Sequence, residues 1–405
     1  MDVFAYLIPY GLEWCNLILR WLHVITAIAW MGASFYFIWL DNSIRPPAPG
    51  SGAAQRGVAG ELWAVHGGGF YNPQKYLVAP PELPQQLHWF KWEAYFTWMS
   101  GFALLWVVYY FNAAAMMVDK SVADIAGWQA VAIGLATLTL GWIVYDLLCR
   151  SKLGRHDLWF GALVFALIVA AGFGLSSWLS GRAAYIHVGA LIGTIMVCNV
   201  LMVIIPGQRK MVAALKAGQR PDPAPGLRAK QRSMHNNYFA LPVVFIMISN
   251  HYAMTYRHAH SWLVLAFIMA AGVFIRHFFN LRHKGKTVWA YPMVGVALLL
   301  AVAVLIAPPA PTPRAAASDP AAQFSQVRAI IGQRCATCHS AHPTQPGFAT
   351  APAGVALDDA GLIRQHAARV YQQAVQLKAM PIGNLTQMTD AERATIQAWY
   401  EAGTR

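Results

Sequence analysis

Eight stretches of the chain, at about 14 to 40, 91 to 111, 124 to 148, 157 to 179, 184 to 206, 237 to 256, 261 to 280 and 287 to 307, are predominantly apolar. Each approaches or exceeds the roughly 20 residues a helix needs to cross a hydrocarbon core. This pattern predicts an all-α fold class: a polytopic membrane helical bundle of about eight transmembrane helices over residues 1–307, dissolved in a lipid bilayer. Of the 405 residues only 12% are charged, about half the ~25% usual in soluble domains. The first stretch is long enough to tilt or to protrude. The opening segment MDVFAYLIPYGLEW carries no basic run, so no cleavable signal peptide is expected.

Lys and Arg fix the expected orientation. With the N-terminus outside, the inner loops hold sixteen of them, from Arg45 to Lys286, and the outer loops only Lys120, Arg182 and Arg257. That bias places the N-terminus and everything after residue 307 on the outer side. The formal charge of +13 is spread through these loops rather than gathered on one soluble face, so no nucleic-acid partner is expected.

Residues 308–322, rich in Pro and Ala, read as a semi-extended linker. The 83 residues of 323–405 follow as a small domain. It opens with the helical AAQFSQVRAII and continues into Cys335, Cys338 and His339. This CxxCH spacing is the attachment signature of a haem c. Two thiols on one turn add to two vinyl groups, and the adjacent imidazole reaches the iron. After a helical stretch, DDAGLIRQHAARVYQQAVQ, comes KAMP, whose Met380 is the expected distal ligand, with Met388 as runner-up. Thr389 and Glu392 form a capping box on the last helix. Half a zinc site or a redox dithiol would also use CxxC, but no second Cys pair exists. In order, these pieces resemble a class I cytochrome c. An outer location suits them, because c-type haem is attached outside a bacterial inner membrane. Cys15, Cys149 and Cys198 lie in or beside apolar stretches and read as inert buried thiols.

Four blocks, WLHVITAIAWMGASFYFIWLDN (21–42), WAVHGGGFYNPQKY (63–76), LHWFKWEAYFTWMSG (87–101) and HNNYFALPVVFIMISNHY (235–252), together resemble the bacterial membrane-bound urate oxidase family, also called urate hydroxylase. The resemblance implies eight spans fused to a C-terminal cytochrome c in the inner membrane, with the N-terminus and cytochrome periplasmic. It implies oxidation of urate to 5-hydroxyisourate with oxygen from water, electrons leaving through the cytochrome and no peroxide formed. A periplasmic or membrane acceptor, a cytochrome c or a terminal oxidase, would then take the electrons. The alternatives are a haem-bearing anchor and electron-transfer subunit for a separate dehydrogenase, and an anion transporter with an appended cytochrome.

Polar groups within spans mark function by default. His23, His187 and His251 lie toward the outer side; His66, His88, His235 and His277 lie toward the inner side. Each imidazole can be a haem ligand, a relay or substrate contact, or an interhelical packer. His23, followed by the small residues Ala27 and Ser34, and His187 are the candidate ligands of a haem b within the membrane; His251 competes. The Gly-rich loop around His66 has no Walker pattern, and reads as an irregular interfacial loop or a lid. Urate is a flat monoanion, so its pocket calls for Arg or Asn beside an aromatic face. Arg276, His277 and Asn280, with Asn236, Asn237, Glu93 and His66, are the candidates for the catalytic site.

Overall fold

The computed structural model describes residues 3–307, 319–346 and 348–404. Helix accounts for 69% of the described residues. Helix α1 (Val3–Ser43) is 41 residues long, about 60 Å at 1.5 Å per residue. It therefore outruns a hydrocarbon core of about 30 Å. The other apolar stretches fall on α2 (Trp92–Leu104, prolonged by π-helical Leu105–Tyr110), α3 (Gly127–Arg150), α4 (Asp157–Ser176), α5 (Gly181–Lys216), α6 (Ala224–Ser249), α7 (Ser261–His283) and α8 (Ala290–Leu305). Five of these helices, α1, α3, α4, α5 and α7, are long and apolar enough to cross a membrane. In α2 the Trp and Tyr residues dilute the apolar character, α6 begins in the charged run RAKQRSMHNN, and α8 has 16 residues.

The packing is that of helices in lipid. Small residues fill the helix contacts, with Ala94, Ala130, Ala183, Ala240 and Ala271 buried, so that backbones approach closely. Large apolar side chains such as Trp21, Ile28, Leu158 and Val304 point outward. Cys149 and Cys198 are half-buried, but Cys15 is exposed on the outward face of α1, contrary to the expected burial. Two π-helical stretches matter below: Leu105–Tyr110 turns both Tyr109 and Tyr110 inward, and Asn199–Ile204 buries Asn199.

The Gly-rich segment departs from the expected irregular loop. It forms an antiparallel hairpin in which β1 (Gly60–Glu61) pairs with β4 (Gln74–Lys75) and β2 (Ala64–His66) with β3 (Gly69–Tyr71). Gly67 and Gly68 take positive φ, 58° and 80°, as a two-residue hairpin turn requires. Lys75 pairs with Asp41 and ties the hairpin base to the end of α1, and Lys230 of α6 pairs with the same carboxylate.

Residues 308–318 of the expected linker lie outside the described residues. Asp319 caps α9 (Pro320–Arg334), so helix begins three residues before Gln323. The next expected helix is interrupted at His366, giving α10 (Ala360–Gln365), a turn at Ala367–Val370 and a π-helical Tyr371–Gln376. Helix α11 (Asp390–Glu401) carries the expected capping box of Thr389 and Glu392. Val327 and Ile331 of α9 and Ile396 and Trp399 of α11 form the core of this unit. The unit touches the bundle through Ile382–Asn384, which packs on the turn Ala113–Met116.

Candidate functional site

Where α1, α6 and α7 meet, a polar cluster is buried. Arg276 is 6% exposed and donates from Nε to Asn237 Oδ1 at 2.5 Å. Its guanidinium lies 4.0 Å from the centre of the Phe35 ring. Arg276, Asn280 and His283 follow at i, i+4 and i+7 on α7, one face of the helix, and Phe35 and Asn42 share a face of α1 in the same way. Among these residues Arg276 Nη2, Asn237 Nδ2, both amide atoms of Asn280, His283 Nδ1 and Asn42 Nδ2 are buried without a hydrogen-bond partner. Asn280 lies beside the Tyr238 hydroxyl without a bond of good geometry. Among the described residues no carboxylate pairs with Arg276. A buried cation without a counter-ion is costly, and the unpaired groups that share its helix face or a bond with it suit a polar, anionic guest.

The other candidates are placed differently. His277 lies one residue round the helix, where Nδ1 bonds the Tyr238 hydroxyl at 2.7 Å and the ring meets Tyr291. His66 is exposed on the hairpin, and neither it nor Glu93 bonds to the Arg276 cluster. Asn236 faces the opposite side of α6 from Asn237. It joins Asn199, Tyr145, His235, Arg232 and Asp146 in a second network, in which Arg232 reaches Asp146 at 2.6 Å and Asn199 at 3.1 Å. Here the polar groups satisfy one another.

The structure does not bring His23 and His187 together. His23 bonds Thr97 O and Ser100 Oγ of α2 beside Gly101. His187 is fully buried, with Nδ1 donating to Ala183 O at 2.8 Å and Nε2 bonded to the Tyr110 hydroxyl at 3.1 Å. Gly101 and Tyr110 are separated by nine residues of helix, about 13 Å. The two imidazoles therefore do not face one another across an iron, and both nitrogens of His187 are engaged. These residues do not fit a haem b held between them. His251 is exposed at the end of α6.

In the C-terminal unit a cavity with about 480 Å³ of empty space is lined by Cys335, Cys338, His339, Phe348 and Met380, with Ala115 of the bundle at its rim. His339 Nδ1 contacts the Val355 carbonyl at 2.8 Å. A carbonyl only accepts, so Nδ1 carries the proton and Nε2 is left free. Arg393 donates to the Met380 carbonyl at 2.9 Å and holds that loop. Met388 is 3% exposed in the core of the unit and does not line the cavity. Burial pushes the Cys335 thiol up to about 12, with Cys338 adding to the shift, and burial raises Cys338 as well. Among the described residues no three His, Cys, Asp or Glu side chains converge to hold a metal ion.

Residues 9–307 match the family model described as urate oxidase N-terminal. The chain belongs to that family. The match spans the helices that carry Phe35, Asn237, Arg276 and Asn280, and marks the chain as a urate-related oxidoreductase. It ends where α8 ends, so the cysteine cavity lies beyond it. No curated protein and no solved structure matches the chain. Sequence reasoning had singled out Arg276, Asn237 and Asn280 but not Phe35, Asn42 or His283. For His283 the i, i+7 relation to Arg276 was the available signal; Phe35 and Asn42 are i, i+7 to one another only, and the sequence carried no signal for them.

Proposed function

We propose that the chain is an integral membrane urate oxidase of eight spans, with its N-terminus and C-terminal unit periplasmic. It binds urate among Phe35, Asn237, Arg276, Asn280 and His283 and passes electrons to a haem c. The observation that carries the reading is the unpaired Arg276 guanidinium amid unpaired amides. A flat monoanion with donors and acceptors around its edge supplies the charge and the hydrogen bonds these groups lack. Phe35 backs the guanidinium and fixes its plane. Urate and one water give 5-hydroxyisourate, two protons and two electrons. The His283 imidazole, with its free Nδ1, is the cluster's proton acceptor.

The residues around the C-terminal cavity fit a haem c: Cys335 and Cys338 for the thioethers, His339 Nε2 and Met380 for the iron. The raised thiols speak against a redox dithiol, which relies on a lowered thiol pKa. A haem bound there supplies a one-electron acceptor on the outer side. Val355 fixes the tautomer of His339, and Arg393 positions Met380. No haem b is assigned.

Anaerobic addition of urate to the purified full chain tests the reading. The haem band at the red end of the visible spectrum should sharpen as the iron is reduced, with two haems reduced per urate consumed. A chain that carries haem yet is not reduced by urate would instead be an electron-transfer anchor for a separate dehydrogenase.

A further inference from the structure

Beside the cysteine cavity, where the C-terminal unit rests on the bundle, lies a second space of about 300 Å³. Its walls are Ser180, Arg182, Tyr256 and Arg257 from the bundle and Ile382 and Gly383 from the C-terminal loop. Ile382 lines both cavities, and the neighbouring residues Ala115 and Met116 line one each. The two spaces thus share a wall at Ile382.

The second space is positively charged. Among the described residues Arg182 has no carboxylate partner; its guanidinium reaches the Tyr256 hydroxyl at 3.4 Å and lies over that ring. Arg257 pairs with Asp119 at 3.3 Å, but Asp119 also accepts from the Ser121 hydroxyl and amide. Among the described residues Asp119 is thus the one carboxylate that pairs with either of these two guanidinium groups. Bringing such surfaces together without an anion is unfavourable.

We propose that Arg182 and Arg257 form a clamp for carboxylates, and that the carboxylates are the propionates of the haem c assigned to the adjoining cavity. The inference rests on that haem assignment. It makes the membrane bundle a participant in the haem site: the clamp fastens the C-terminal unit to the bundle and sets the potential at which the haem works. Fixed positive charge near the propionates favours the reduced iron, whose site carries one more negative charge.

The test uses full-length protein. Haem staining first confirms attachment, and a spectroelectrochemical titration then reads the potential. Arg182→Gln should lower the reduction equilibrium about tenfold, 59 mV for one electron, while Arg182→Lys keeps most of the wild-type value. If Arg182→Gln fails to fold, Asp119→Asn provides the opposite sign, because removing the competing carboxylate should raise the potential. Inorganic phosphate is the competing source of oxyanion. Unchanged potentials in the variants, with phosphate binding to wild type that Arg182→Gln abolishes, would make the cavity a site for a free anion and overturn the propionate assignment. Unchanged potentials without phosphate binding would overturn the clamp altogether. A wild-type chain without attached haem would instead overturn the haem reading, and the clamp with it.

Discussion

Replacing Arg276 by Gln should separate binding from stability. The side chain is 6% exposed, its Nε is bonded to Asn237 and its Nη2 has no partner. If urate completes the site, the substitution removes at least one hydrogen bond to a charged group, worth about 1.5–3 kcal/mol. At about 1.36 kcal/mol per tenfold, kcat/KM for urate should fall roughly 10- to 150-fold. The folded protein should respond in the opposite sense. An uncompensated buried cation is a burden to the empty protein, so Arg276→Gln should leave its thermal midpoint unchanged or raised. Steady-state rates with an artificial electron acceptor give the first quantity, and a thermal melt without urate gives the second. Urate should raise the midpoint of wild type and not of the variant, since only a bound ligand stabilises. A variant with kcat/KM within twofold of wild type would refute the assignment of Arg276 to the substrate. One that loses activity and also melts lower would show that Arg276 serves the fold.

The two methionines should behave oppositely. Met380→Ala should lower the haem potential and remove the sulfur-to-iron absorption near the red edge of the spectrum, whereas Met388→Ala should keep both and cost about 2–5 kcal/mol of stability, as loss of a buried Met side chain does. Gly383 has φ of 55°, and a Cβ there would overlap the Val118 carbonyl. Gly383→Val should therefore slow urate-driven haem reduction at least tenfold in a stopped-flow trace while leaving reduction by dithionite unchanged. Thr389→Ala should cost about 1 kcal/mol through the lost cap, read as a lower midpoint for the C-terminal unit. Burial alone would raise the Glu392 carboxyl, but the Thr389 amide and Arg334 overcome it and hold the group below its ordinary value. Its contribution is thus full above the unfolded value of about 4.3 and is lost as pH falls through the lower folded value, so acid melts of the Glu392→Gln variant should be flatter than wild type.

Which features were legible in the sequence follows from how local their causes are. Thr389 and Glu392 form their cap because both partners lie within one turn. The eight apolar stretches became helices because a run of about 20 apolar residues specifies its own backbone bonding. The hairpin was missed for a comparable reason: the Gly67–Gly68 turn is local, but the strands beside it, at two and three residues each, are too short to show an alternating pattern. Convergence across helices is a different problem. Asn236 and Asn237 are neighbours in sequence and equivalent in type, yet one completes a closed network with Asn199 and the other turns an open amide toward Arg276. Only helix rotation, set by packing over the whole bundle, separates them. The same rotation put His187 against Tyr110 and His23 against Ser100, on different levels of α2, a difference that the small residues following His23 do not reveal. Hydrogen-bond satisfaction then separates structure from site. Arg232 has its carboxylate and Arg276 has none among the described residues, and two buried arginines that read alike in the chain are told apart by what each still lacks.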